Sequence, residues 1–158
     1  MAEFPGKGKV AILRTQPETV IDDVREVMRQ AGYQDALPKD KDTILKINIS
    51  WDTWYPACSS TPWQIEGAIQ ELQDAGYPRI VAGHNDTVVV DARAGEFNNK
   101  HRYVTDKYGI ENWHLYEPQF EWVRYEPKEP LLVLDRVYPE GIFVPQCFYG
   151  RNIIQLPT

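Results

Sequence analysis

Lys46, Asn48, Thr61, His84 and Asn85 are the residues whose types and positions can do chemistry in this chain. Ile44, Lys46 and Asn48 recur at every second position of a β-branched run, so on a strand their side chains share one face. A lysine inside such an apolar run needs a partner or a ligand, and it can anchor a phosphate or a carboxylate. The plainer alternative is that it pairs with an acidic neighbour or reaches water along its own stem. Thr61 precedes Pro62, and the helix that begins there presents free N–H groups that favour the same anion. His84 lies in Ala82-Gly83-His84-Asn85-Asp86. Its ring can exchange protons near neutral pH, Gly83 lets a ligand come close, and Asp86 can orient the imidazole. The competing reading is a turn histidine that only hydrogen-bonds its loop, since no nucleophile stands beside it.

Other familiar chemistries lack their residues. His84, His101 and His114 follow no zinc-helix spacing, so His101 and His114 read as structural or surface residues and no metal ligand is assigned. Cys58 and Cys147 form no Cys-x-x-Cys pair, which leaves no iron–sulfur or zinc motif, and no cofactor is expected. A bridge between them would require an oxidising compartment. Gly6-Lys7-Gly8 precedes a strand instead of following one, and no phosphate-loop pattern occurs. Trp51, Trp54, Tyr55 and Trp63 cluster around one long loop, where they either pack beneath it or offer a surface to another chain.

Hydrophobic periodicity places these residues on elements. A strand is expected over 9–13, with Arg14 and Thr15 just after it. Next comes a helix with Val20, Val24, Val27, Met28 and Ala31 on one face, then a strand over 43–49 that ends in Lys46, Asn48 and Ser50. The long connection 50–60 leads to a helix with a Thr61-x-x-Gln64 capping box and a stripe of Ile65, Ala68, Ile69 and Leu72, closing at Ala75-Gly76. A strand over 79–82 follows. That alternation predicts a mostly parallel α/β sheet with crossover helices, and ligands of such sheets sit beyond the carboxyl ends of the strands. Further along, a helix over 98–108 and short strands near 113–116, 121–125, 130–134, 141–144 and 152–156 are expected, with some antiparallel pairing.

The chain has 158 residues, 42% of them hydrophobic, enough for one α/β domain with a single core. Its net charge of −6, from 23 acidic and 17 basic side chains, argues against a nucleic-acid backbone binder. There is no apolar run of membrane length and no basic, apolar leader, so a cytoplasmic protein without membrane partners is expected. The sequons at Asn48 and Asn85 then carry no weight.

Several of these segments together resemble a family. Thr43-Ile44-Leu45-Lys46-Ile47-Asn48, the Thr61-Pro62 helix start, the helix ending Glu71-Leu72-Gln73-Asp74-Ala75-Gly76 and the strand running into Gly83-His84-Asn85 are similar to domain of unknown function family 362. The resemblance runs over about residues 10–158. It implies an α/β domain, and some relatives add ferredoxin-like cysteine motifs that this chain lacks. Relatives continue beyond a strand like Ile153-Ile154-Gln155-Leu156, which implies that the chain is an amino-terminal fragment lacking part of its site. A fainter similarity is to the amino-terminal domain of nickel-pincer lactate racemases. It implies proton transfer at His84 and carboxylate anchoring at Lys46. The expectation is therefore a small anionic ligand held at the strand ends by Lys46, Asn48, Thr61 and Asn85, with His84 as the catalytic candidate. The alternative is a non-catalytic interaction protein that uses its aromatic loop and carboxyl-terminal strand to bind a partner or a second copy.

Overall fold

The computed structural model describes residues 6–55 and 57–158. Met1–Pro5, part of the segment expected to be no leader, and Pro56 of the long connection lie outside them. The core is a four-stranded parallel sheet in the order β3-β2-β1-β6, built from β1 (Thr43–Ile47), β2 (Ile80–His84), β3 (Glu111–His114) and β6 (Asn152–Leu156). A separate two-stranded antiparallel sheet pairs β4 (Trp122–Arg124) with β5 (Phe143–Pro145). The expected α/β class, with parallel strands, crossover helices and antiparallel strands in the carboxyl-terminal half, is what forms.

The sheet divides its residues by parity. The register pairs Lys46 with Gly83 and with Gln155, and Leu45 with Ala82 and Ile154. Leu45, Ile47, Ala82 and Leu156 therefore face one side, where α3 (Pro62–Asp74) buries Ile65, Ala68, Ile69 and Leu72 against them. Ile44 and Val81 face the other side with Trp113 and Leu115. The steps from β1 to β2 and from β2 to β3 move one way across the sheet, with α3, α4 (Ala92–Asn98) and α5 (His101–Lys107) as their crossovers. The return from β3 to β6 moves the opposite way, so a crossover of constant hand must traverse the opposite face. It does so: Phe120, Cys147 and Phe148 from that traverse pack on Ile44, Val81 and Trp113.

α1 (Val20–Gln30) lies on α3, and Gly67 is the reason the two can touch. A Cβ at Gly67 would stand 2.8 Å from the Ile21 carbonyl oxygen and 2.8 Å from Val24 Cβ. The same contact is locked at its edge by buried Glu71, which accepts from Tyr33 Oη at 2.9 Å and from Arg29 Nη1 at 3.1 Å. Gly32, with φ 71°, separates α1 from the single turn α2 (Tyr33–Ala36).

Four expectations need correction. Residues 9–13 form no strand: Val10 and Ile12 are each 83% exposed, because their alternating pattern finds no neighbouring strand to bond. Residues 130–134 form no strand either. Leu132 is 92% exposed, and the short turn α6 (Leu134–Val137) follows. The helix expected over 98–108 is shorter: it is α5, which starts only at His101, and α4, ending at Asn98, is parted from it where Lys100 takes a left-handed φ of 65°. Thr61 does occupy the N-cap of α3, ahead of Pro62, but its side chain accepts no cap hydrogen bond, so the capping box is absent. The strand expected over 152–156 does form, as an edge of the parallel sheet with Asn152 and Leu156 buried.

Candidate functional site

The carboxyl ends of β1 and β2 carry the expected residues, but on opposite faces of the sheet. Lys46 shares its face with Ile44 and Gly83, whereas His84 belongs to the helix-covered face with Ala82. Lys46 and His84 thus end neighbouring strands on opposite sides of the sheet. Two surface grooves, one of about 360 Å³ along 124–142 and one of about 430 Å³ beside Trp63, are lined by neither.

On the face covered by the β3–β6 traverse, Lys46 is half-buried and its Nζ donates to the Ile47 carbonyl at 3.2 Å. No carboxylate among the described residues pairs with it, and burial alone pushes its pKa down. Gly83 lies opposite, where a Cβ would make ordinary van der Waals contact with Ile44 Cγ2 and Leu115 Cδ1 at 3.4 and 3.5 Å. Asn48 is occupied in holding the loop: its Nδ2 donates to Ser50 Oγ and to Thr158 Oγ1, both at 3.0 Å. Ser60 fastens the same junction, accepting from the Asn48 amide at 2.9 Å and donating to the Leu156 carbonyl. Thr61, half-buried, stands one residue beyond this knot at the start of α3.

On the helix face a denser group assembles around His84. Its Nε2 lies 3.0 Å from Glu96 Oε1, and Nε2 of His114 lies 3.2 Å from the same oxygen. His84 and His114 are register partners at the ends of β2 and β3, with ring centroids 5.0 Å apart. Glu96 comes from α4, whose start is fixed by Asp91: its carboxylate accepts from the amides of Arg93 at 2.9 Å and Ala94 at 3.0 Å. Gly95 lets that helix approach, since a Cβ there would fall 2.5 Å from Ile49 Cγ2. Tyr116 flanks both histidines, at 6.2 and 5.9 Å between ring centroids.

Burial would raise the Glu96 carboxyl, but the hydrogen bonds and charges of His84, then of His114, outweigh it and hold the group below the usual carboxylate range. An ionised Glu96 only 4% exposed is thus satisfied by two imidazole N–H donors. Asn85 is exposed and contributes its carbonyl, 3.4 Å from His84 Nδ1. Asp86 turns away to accept from the Thr87 amide, so Glu96 takes the orienting role expected of Asp86. Glu117 Oε1 stands 3.6 Å from His114 Nδ1 and is itself gripped by Arg93.

His114 reads from the sequence as a structural or surface residue, and it is instead half-buried inside this group. His101 is indeed structural: fully buried, its Nε2 sits 2.6 Å from the Ser60 carbonyl. Desolvation pushes its pKa down to about 4. Glu96 and Glu117 carry no sequence signal. The one available clue is that His84 and His114 both close strands that a βαβ reading places side by side. His84, Glu96 and His114 present three ligand atoms within 4.8 Å of one another, drawn from three elements, which is why no spacing motif revealed them.

Among the described residues no helix is long and apolar enough to cross a membrane. No family model, curated protein or solved structure matches the chain.

Proposed function

We propose that the protein binds a small anionic ligand, a carboxylate or a phosphate, at the carboxyl edge of its parallel sheet, with Lys46 as the anchor. One observation carries this reading: a half-buried ammonium at a strand end has only a backbone carbonyl for company. Lysines withdrawn from water are ordinarily paired, and an unpaired one favours an incoming anion. The chain's overall charge of −6 repels anions at long range, so selectivity for one falls to a local cation. Asn48 and Thr61 frame the junction behind Lys46. His84 lies on the other face of the sheet and is left out of this ligand's contacts, while Asn85 is exposed just past the end of β2. Membership of domain of unknown function family 362 and a cytoplasmic location belong to the same proposal and rest on the sequence alone.

The test is a thermal-shift panel of inorganic phosphate, sulfate, acetate and malonate on the wild type and Lys46→Ala. An anion at a hundredfold over its dissociation constant adds roughly 2.7 kcal/mol of stability. Stabilisation of the wild type that is absent in Lys46→Ala supports the anchor. Equal shifts in both proteins, or none in either, reject it.

A second reading has its own observation: Trp51, Trp54, Tyr55 and Trp63 are 44%, 39%, 60% and 37% exposed, so the loop aromatics are not packed away. Trp54 and Trp63 stand edge to face at 6.3 Å. Such a patch fits contact with a partner or a second copy. The carboxyl-terminal strand contributes less than that reading expects, since Ile153 and Ile154 are both half-buried. Sedimentation velocity over a concentration series, with Trp54→Ser as the control, decides it: concentration-independent monomer in both proteins removes self-association.

A further inference from the structure

We infer that His84, Glu96 and His114 form a binding site for a divalent first-row transition-metal ion, separate from the anion site at Lys46. The donor set is two imidazoles and one carboxylate, a combination that suits zinc, iron(II) or cobalt(II), while calcium and magnesium prefer all-oxygen surroundings. The geometry agrees with that chemistry. Ligands bonded to one such ion at about 2.0–2.2 Å stand about 3.0–3.5 Å from each other along the edges of its polyhedron. Glu96 Oε1 lies 3.0 Å from His84 Nε2 and 3.2 Å from His114 Nε2.

The far sides of the rings supply an independent argument. A metal-bound imidazole coordinates through one nitrogen and turns the other N–H toward a carbonyl or carboxylate, which fixes the tautomer. Each ring here has such an acceptor: the Asn85 carbonyl 3.4 Å from His84 Nδ1, and Glu117 Oε1 3.6 Å from His114 Nδ1. Arg93 clamps Glu117 in place. In the ion-free state the two Nε2–H groups donate to Glu96. On loading, each Nε2 proton is lost to water and each Nδ1 gains one, so both imidazoles stay neutral and the proton count balances. A site built only to satisfy Glu96 would need neither Asn85 nor Glu117 behind the rings.

The platform is also rigid. His84 and His114 are cross-strand neighbours inside a parallel sheet, and Glu96 rides on a helix with a satisfied N-cap. His84 is 1% exposed and Glu96 4%. Three protein ligands leave coordination positions for water or a further ligand, the arrangement of catalytic and not of structural metal sites. Neither Cys58 nor Cys147 belongs to the group.

The experiment uses the full, tag-free chain after chelator treatment, titrated with cobalt(II) and zinc(II). The expected result is one ion per chain by equilibrium dialysis, with visible cobalt absorption lacking thiolate charge transfer and abolished by zinc. Millimolar magnesium should not compete. Glu96→Gln and His114→Gln should lose saturable binding, and Glu117→Gln should weaken it about tenfold or more. Because a buried substitution can unfold the chain, a second measurement stays with the wild type. The protein has three histidines, and zinc should shift the imidazole nitrogen resonances of His84 and His114 and leave those of His101 in place. Absence of saturable binding in the wild type overturns the proposal, as does a zinc response at His101 without His84 and His114.

Discussion

Acidification from about pH 7 to pH 5 should cost this protein stability through one side chain, His101. Its Nε2–H donates to the Ser60 carbonyl at 2.6 Å, which leaves Nδ1 as a bare lone pair, buried and without a partner among the described residues. A proton on Nδ1 would place a cation in a fully buried position, so desolvation brings the folded-state pKa down to about 4, against 6.5 for the free group. Glu96 pulls the other way and His84 adds to the depression, but both effects are smaller than desolvation. The sign follows from proton counts. Between about pH 6.5 and pH 4 the unfolded chain binds the proton and the folded chain does not, so stability falls as pH falls through that window. The ceiling is about 3 kcal/mol, of which about 2 kcal/mol should be lost between pH 7 and pH 5. Urea unfolding followed by far-UV circular dichroism at pH 7, 6 and 5, with chelator present, measures it for the wild type and His101→Gln. Glutamine keeps an N–H donor for Ser60 and cannot titrate. Carboxylates act mainly below this range, and His84 and His114 are common to both proteins. The wild type should therefore lose about 2 kcal/mol more than the variant; parallel losses would refute the assignment of the effect to His101.

Gly67→Ala gains roughly 1 kcal/mol of helix propensity. It also drives a methyl onto the Ile21 carbonyl and Val24 Cβ at 2.8 Å, atoms of a neighbouring helix that cannot rotate aside. Overpacking of that kind costs about 1–3 kcal/mol, and here backbone must move, so the melting temperature should fall. Scanning calorimetry checks the direction, and an unchanged or raised value contradicts the close approach of α1 and α3. Asp91→Ala removes the acceptor for the Arg93 and Ala94 amides and should cost about 1 kcal/mol by urea titration. Because α4 carries Glu96, the same variant should also bind cobalt(II) more weakly in the dialysis assay described above, whereas Gly67→Ala should not.

The elements of the amino-terminal half were legible because their periods agree with their partners. The 3.6-residue stripe of Ile65, Ala68, Ile69 and Leu72 found a sheet to cover, and the β-branched run from Thr43 found strands on both sides. Where the pattern had no partner it misled. Val10 and Ile12 alternate like a strand, and Leu131, Leu132 and Val133 form an apolar run, yet neither segment meets a ladder. The site was half legible for a related reason. Parity within one strand can be read from sequence, and it places Lys46 beside Ile44. The register between strands cannot, and it sets Gly83 against Lys46, which turns His84 to the other face. Glu96 was invisible because the helix break at Asn99 and Lys100 carries no glycine or proline.

Closing β6 against β1 brings together residues 109 positions apart, as with Asn152 and Thr43, whereas Glu96 is only 12 positions from His84 and 18 from His114. Distant pairings form slowly because the intervening chain must first surrender its freedom. The histidine–glutamate group can therefore mature within a short stretch of polypeptide, while the surroundings of Lys46 wait for the traverse to return and for Ser60 to bridge the two ends. During refolding, the His84–Glu96–His114 cluster and the edge around Lys46 should reach their native arrangement in that order, two events in time on one sheet.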